Sequence, residues 1–397
     1  VPAWHYRHGR QTDIVWQMVE ARRRRSASSV DGPVAPRANP NPTLRASIAA
    51  ATLVGSARLA TSRLWPGTTK TVGSAPTPHL HAIDPSHPAA PSWPRRVAKA
   101  AAAVTALAER RPFDEEWFEI GGLKLHFETH GHGDRVVVLL HGILLDSQMN
   151  RRLAADLAER GYRVVLLDLP GHGRSDKPRH ASAHRMDTYG ELVIALLDHI
   201  DIDRAVIGGV SLGANVALQV ATHSPQRVVG LVLEMPVLEW AVPSAAMAFV
   251  PLLAGIRVGS GVARVVAAGA RQIPTTHVGL VDTVVAALRS DPEEIAAVLH
   301  GVLVGPVAPP VEARHAVHEP ALVIGHRMDA IHPFTDARHL ARQLPQAQLV
   351  QANSMVELRL FPTRLTEAIA SFVQQAWDLD DRQSQEPLRS SDHPAPA

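Results

Sequence analysis

The stretch Gly209-Val210-Ser211-Leu212-Gly213 constrains this chain more than any other, because of what lies on either side of it. The apolar run Ala205-Val206-Ile207 leads in, and residues 214–221, apolar at helical spacing, lead out. A serine set between a strand and a helix must occupy a sharp turn with unfavourable backbone angles and crowded neighbours. Gly209 and Gly213 suit the flanks of such a turn, since neither brings a side chain into the crowd. The turn lifts the Ser211 hydroxyl above the sheet edge, which makes the pentapeptide a nucleophile elbow. It also aims the Leu212 amide, at the start of the helix, toward any oxyanion formed on a carbonyl attacked by Ser211.

The surrounding pattern extends that reading. Residues 117–129, broken at Gly121-Gly122, predict a hairpin. Residues 135–140 predict a nearly all-apolar strand ending in His141-Gly142, followed by a helix over about 147–160. Residues 162–167 predict the next strand, which ends in Asp168-Leu169-Pro170-Gly171-His172-Gly173-Arg174-Ser175. A helix over 186–199, the strand feeding the elbow at 204–208 and a strand at 228–233 follow. Strands that read as continuous Val, Leu and Ile, separated by helices, predict an α/β fold with a mostly parallel sheet covered on both faces. Right-handed crossovers then gather Ser211, His141-Gly142 and Asp168 at one sheet edge.

Between about 236 and 311 the alternation stops, and the chain is rich in Ala, Val, Leu and Gly. This segment, inserted after the strand that ends near Leu233, is expected to form a helical cap over the sheet edge. The alternation resumes with a strand at 320–325, a helix at 335–344, a strand at 347–351 and a closing helix at 362–377.

Charge separates the chain into unlike parts. Residues 1–111 hold sixteen Lys and Arg against five Asp and Glu, a net +11, whereas residues 112–397 carry a net −9. The first 112 residues, with Arg22-Arg23-Arg24-Arg25 and Pro-rich runs at 33–42 and 76–94, are expected to be a largely disordered basic leader. Such a leader leaves nucleic acid, lipid head groups or a protein open as partners, and the polar tail 379–397 is expected to be disordered as well. Residues 47–60 are too short and weakly apolar for a membrane span or an export signal, which favours a cytoplasmic setting. The absence of cysteine excludes disulfides, thiolate metal sites and cysteine nucleophiles. The twenty-two histidines show no His-Glu-x-x-His spacing, and neither a phosphate loop nor a dinucleotide fingerprint occurs, so the expected chemistry needs no metal or cofactor.

His141-Gly142, the octapeptide from Asp168 to Ser175 and the elbow, in that order and spacing, resemble the α/β-hydrolase superfamily, in its capped branch of esterases, epoxide hydrolases and carbon-carbon bond hydrolases. The resemblance covers about residues 113–378. It implies Ser211 as nucleophile, the amides of Ile143 and Leu212 as oxyanion donors, and His141 and Gly142 as the supporting loop. His172 and Ser175 read as loop architecture. The acid is expected at Asp329, in Gly325-His326-Arg327-Met328-Asp329, with Glu234 as the alternative position.

One part of the pattern fails. The family's base is a histidine in the loop after the last strand, but that loop reads Gln351-Ala352-Asn353-Ser354-Met355-Val356, and no histidine occurs between 341 and 391. His332, three residues beyond Asp329, is the replacement candidate, with His326 held closer to its strand; a water held by Asp329 and Asn353 is the other route. The resulting expectation is a cofactor-free serine hydrolase of a hydrophobic small-molecule ester, working through an acyl-enzyme intermediate. The alternative is a non-hydrolytic relative that binds a small apolar ligand. Oligomeric state is left open.

Overall fold

The computed structural model describes residues 112–274, 279–327 and 329–385. The leader expected over 1–112 therefore lies outside the described residues up to 111, as does the tail from 386.

Eight strands form one sheet: β1 (Asp114–Ile120), β2 (Leu123–His130), β3 (Val136–Leu140), β4 (Arg163–Leu167), β5 (Ala205–Val210), β6 (Val228–Glu234), β7 (Ala321–His326) and β8 (Ala347–Ala352). Their spatial order is β1-β2-β4-β3-β5-β6-β7-β8. The β1–β2 hairpin is antiparallel, β2 is antiparallel to β4, and every later pair is parallel. Because β3 sits between β4 and β5, the chain leaves it first to one side and later returns on the other. The loops after β3 and β5 thus diverge and open a crevice at their carboxyl ends.

The helices are α1 (Arg151–Ala158), α2 (Met186–His199), α3 (Leu212–His223), α4 (Val242–Val258), α5 (Ser260–Ala270), α6 (Gly279–Arg289), α7 (Pro292–Val304), α8 (Val311–His315), α9 (Phe334–Gln343), α10 (Glu357–Leu360) and α11 (Thr363–Gln385). Strand β3, Val-Val-Val-Leu-Leu, is wholly buried, and its side chains divide by the period of two between the sheet's faces. Val136, Val138 and Leu140 join α2 and α3 in one apolar core; Val137 and Leu139 join α1 and α11 in the other. At about 1.5–3 kcal/mol for each Val or Leu taken out of water, both faces must be covered, which explains the continuous apolar strands.

The cap, α4 to α7, is fastened at its hinges by polar groups. Asn215, in the first turn of α3, donates through Nδ2 to the carbonyls of Val237 and Val307, both at 2.6 Å, and accepts from the Val237 amide at 3.0 Å. Asp336, buried in the first turn of α9, accepts from the amides of Leu238, Trp240 and Ala241. Thr283 on α6 donates to Asp146 at 2.9 Å. Since Asn215, Asp336, Asp146 and Thr283 are buried groups that would otherwise lose their hydrogen bonds, these links hold the hinges in register.

One boundary differs from expectation. The closing helix passes the expected limit at 378 and continues to Gln385, so residues 379–385 are helix. Its last turns carry Asp378 and Asp381 to Arg135, at 2.8 and 2.6 Å, and Asp380 to Arg204. Both arginines sit where β3 and β5 begin, and composition alone hid this pairing across the fold.

Candidate active site

Ser211 sits at φ 55°, ψ −110°, in the left-handed φ range that a side chain rarely adopts. Its amide donates to the Glu234 carbonyl at 2.8 Å, and its own carbonyl accepts from the Asn215 amide at 3.1 Å, so strand β6 and helix α3 hold the turn from both sides. A Cβ at Gly209 would fall 2.6 Å from the Gly213 carbonyl carbon and 2.7 Å from the Leu140 oxygen. One at Gly213 would fall 2.5 Å from that same oxygen. Only glycine lets the elbow press against the end of β3.

The hydroxyl is half-buried and lies in a hydrogen-bonded chain. Ser211 Oγ is 2.8 Å from His332 Nε2, and His332 Nδ1 is 2.8 Å from Asp329 Oδ2. The other Asp329 oxygen accepts from the amides of Ile331 and His332, at 2.8 and 2.9 Å. Burial of Asp329 pushes its pKa up, but hydrogen bonds from the His332 ring and these amides outweigh it and hold the carboxyl below the usual range. An ionised carboxylate only accepts, so Nδ1 carries the imidazole proton and Nε2 accepts from the serine hydroxyl. The three residues thus meet from two loops, one after β5 and one after β7.

The surrounding loops are fixed by their own polar partners. Leu169 N–H donates to His141 Nε2 at 3.0 Å, which leaves Nδ1 of His141 to donate to the Gly142 carbonyl at 2.8 Å. His141 therefore shapes the turn over residues 142–145, where the Leu145 amide returns to the Gly142 carbonyl and Leu144 adopts φ 60°. Asp168 accepts from the His126 ring and from the amides of Ser147 and Arg174. Ser175 donates to the Asp168 carbonyl and His172 pairs with the Pro170 carbonyl at 3.0 Å. His172 and Ser175, read from the sequence as loop architecture, make these bonds within the octapeptide. Leu212 opens α3, so its amide has no acceptor within the helix and is available to a ligand; Ile143 lies in the turn that His141 supports.

Glu234 and His326 have other work. Glu234 Oε2 accepts from Arg359 at 2.8 Å, and Oε1 lies 3.5 Å from His326 Nε2. Burial raises the Glu234 pKa, but the Arg359 guanidinium and His326 reverse this and leave it lowered. His326 Nδ1 pairs with the Ser354 carbonyl at 2.8 Å, and the Asn353 amide donates to Glu357 at 2.5 Å. The structure thus brings Asp329 to His332, and engages the alternative acid Glu234 with Arg359. What the sequence reading missed is Asn215 and Asp336 as hinge clamps; a polar residue among the apolar neighbours of α3 was the available signal for the first.

Among the described residues, Glu115, His126 and Glu128 bring three possible metal-ligand atoms within 4.8 Å of one another. Guanidinium groups already hold both carboxylates, Arg174 that of Glu115 and Arg151 that of Glu128. A cation there would have to displace two charge-assisted pairs.

A family model described as alpha/beta hydrolase fold matches residues 135–253, which contain the elbow and the loops after β3 and β4. Over these residues the chain matches that family, and the chain as a whole has the α/β-hydrolase fold. It is 44% identical over 119 residues to the dihydrolipoyllysine-residue acetyltransferase component of an acetoin cleaving system from Pseudomonas putida, covering 29% of this chain and 30% of that one. It is 36% identical over 115 residues to the 2-hydroxy-6-oxononadienedioate/2-hydroxy-6-oxononatrienedioate hydrolase of Escherichia coli, covering 28% of this chain and 39% of that one. The chain thus spans 30–39% of the length of these curated relatives. The crystal structure of the enol-lactonase from Burkholderia xenovorans LB400 superposes with a TM-score of 0.53 at 21% identity, over 65% of this chain and 100% of that chain. The chain therefore shares its fold with that structure.

Proposed function

We propose that this α/β-hydrolase is a serine hydrolase acting on an ester or related acyl compound, with Ser211 as nucleophile, His332 as base and Asp329 as its carboxylate partner. The observation that carries the reading is the unbroken chain of 2.8 Å contacts from Asp329 through His332 to Ser211. A serine hydroxyl attacks only when a base removes its proton, and the proton-free Nε2 of His332 is placed to do so.

In the proposed reaction Ser211 Oγ bonds to the acyl carbon while its proton passes to His332 Nε2, and Asp329 stabilises the imidazolium. The carbonyl oxygen becomes an oxyanion, with the Leu212 and Ile143 amides as its donors, each contributing about 10²- to 10³-fold. Collapse expels the alcohol, which takes the proton from His332 and leaves an acyl-enzyme. Water, deprotonated by His332, attacks that ester in turn, releases the carboxylic acid and restores Ser211.

The composition of the cap favours a hydrophobic acyl or alcohol group over a sugar or peptide. One protein similar in sequence is by its name a 2-hydroxy-6-oxononadienedioate/2-hydroxy-6-oxononatrienedioate hydrolase and one similar in fold an enol-lactonase, both names in keeping with a substrate that carries a carbonyl group. A fluorophosphonate probe tests the reading. Covalent labelling in the intact protein, lost in Ser211→Ala and His332→Ala, is expected; absence of labelling under conditions that label a control serine esterase sinks it and leaves the ligand-binding alternative.

A further inference from the structure

Helix α4 has only Ser244 and Arg257 as polar residues, yet none of its residues is buried. A helix without a polar face ordinarily lies within a protein core or in lipid, because water solvates none of its sides well. Here Met247, Val250, Pro251, Ala254 and Val258 follow helical spacing along one outward stripe, with Met247 78% and Val258 91% exposed. Helix α5 continues the surface through Val262 and Val265, each 72% exposed, while Ala267 and Ala270 face the body. Contiguous exposed apolar surface on this scale marks an interaction site.

Charge identifies the partner. Residues 240–281 contain Arg257, Arg264 and Arg271 and no Asp or Glu. Arg257 and Arg271 bond uncharged partners, His300 Nδ1 at 3.3 Å and the Arg289 carbonyl at 3.3 Å, while Arg264 reaches Glu293 on α7. A second copy would bring the same arginines to this face. An apolar platform flanked by Arg257 and Arg271 is complementary to a surface that is apolar beneath and anionic above.

We propose that the α4–α5 face of the cap seats this protein on an anionic lipid bilayer. Among the described residues no single helix is long and apolar enough to cross a membrane; α4 and α5 reach that length only together, and they meet at 99°. Two axes meeting at one break share a plane, so both helices can lie along the interface, with Met247, Val258, Val262 and Val265 among the acyl chains. Seated this way, Arg257 and Arg271 would bring their guanidinium groups to phosphate level. The proposal stands apart from the role of Ser211, since neither the stripe nor the arginines belong to the catalytic chain.

Flotation of the full chain with vesicles tests it. Binding to phosphatidylcholine vesicles containing phosphatidylglycerol is expected, stronger than to phosphatidylcholine alone and weakened by salt. Met247→Glu/Val262→Glu/Val265→Glu, at exposed positions, is expected to lose at least about tenfold in vesicle affinity, with the thermal midpoint and turnover of a water-soluble ester unchanged. Arg257→Gln/Arg271→Gln is expected to lose the preference for anionic vesicles while still floating weakly. Failure of the parent to float overturns the proposal. So does undiminished flotation of the triple variant, which assigns binding to the leader. A self-associated species in sedimentation, abolished by the triple variant with no vesicle binding by the parent, assigns the face to a second copy and equally overturns it.

Discussion

The loops after β7 and β8 leave neighbouring parallel strands at the same sheet edge, yet they are built for different tasks. After β7, the chain folds back on itself so that Asp329 accepts two main-chain amides with one oxygen and the His332 ring with the other. After β8, where the family resemblance leads one to expect the base, Ser354 lends its carbonyl to His326 and Asn353 its amide to Glu357, while Met355 and Val356 face water. The difference teaches that the fold of a loop decides where its imidazole can point. A separation of three residues suffices when a tight turn sets the ring between carboxylate and hydroxyl.

The sharpest way to break this comparison is to remove each loop's polar groups in turn. His332→Ala is expected to lower kcat/KM for an ester by about 10⁴-fold or more, as loss of a triad base does, whereas Ser354→Ala and Met355→Ala leave it within assay scatter. Steady-state kinetics with the folded variants reads this directly, and a large loss at 354 or 355 would return the base's task to the β8 loop. Asp329→Asn is expected to lower kcat by about 10⁴-fold, because an amide no longer holds the Nδ1–H tautomer of His332.

The β8 side is expected to fail in stability instead. Arg359→Ala leaves the buried Glu234 carboxylate without its guanidinium, at a cost of about 3–5 kcal/mol. Urea unfolding should show the loss, and the active fraction should keep parental kcat. The smallest effect concerns pH. Glu234 is lowered in the folded state from its usual 4.5, so its contribution is fully present above that value and is lost as pH falls through the lower folded value. Glu234→Gln should therefore make the decline of the thermal midpoint below pH 4.5 shallower; an unchanged slope would mean that the pair titrates alike folded and unfolded.

Much of the fold was legible because its signals are local. Runs of five or six residues without a polar side chain specify doubly covered strands, and Gly209 and Gly213 betray the elbow because no other residue tolerates the approach of Leu140. Asp329 was legible from its place after β7. The choice between His332 and His326 was not, because both lie near that strand end. Only the backbone fold-back, which turns His332 toward Ser211 while the Ser354 carbonyl captures His326, separates them. The extension of α11 to Gln385 escaped for the same reason: Asp378, Asp380 and Asp381 look like a solvated tail until Arg135 and Arg204 are brought beside them.

The sequence by itself determined the order of strands and helices, the elbow, the inserted cap and the residue types available at the sheet edge, since hydrophobic period and glycine sterics act between near neighbours. Tertiary structure decided which histidine meets Ser211, which carboxylates are spent on arginines, and which apolar helix remains uncovered. Those outcomes depend on groups more than a hundred residues apart arriving within hydrogen-bond reach, as Ser211 and His332 do, and on burial, which no local pattern reports.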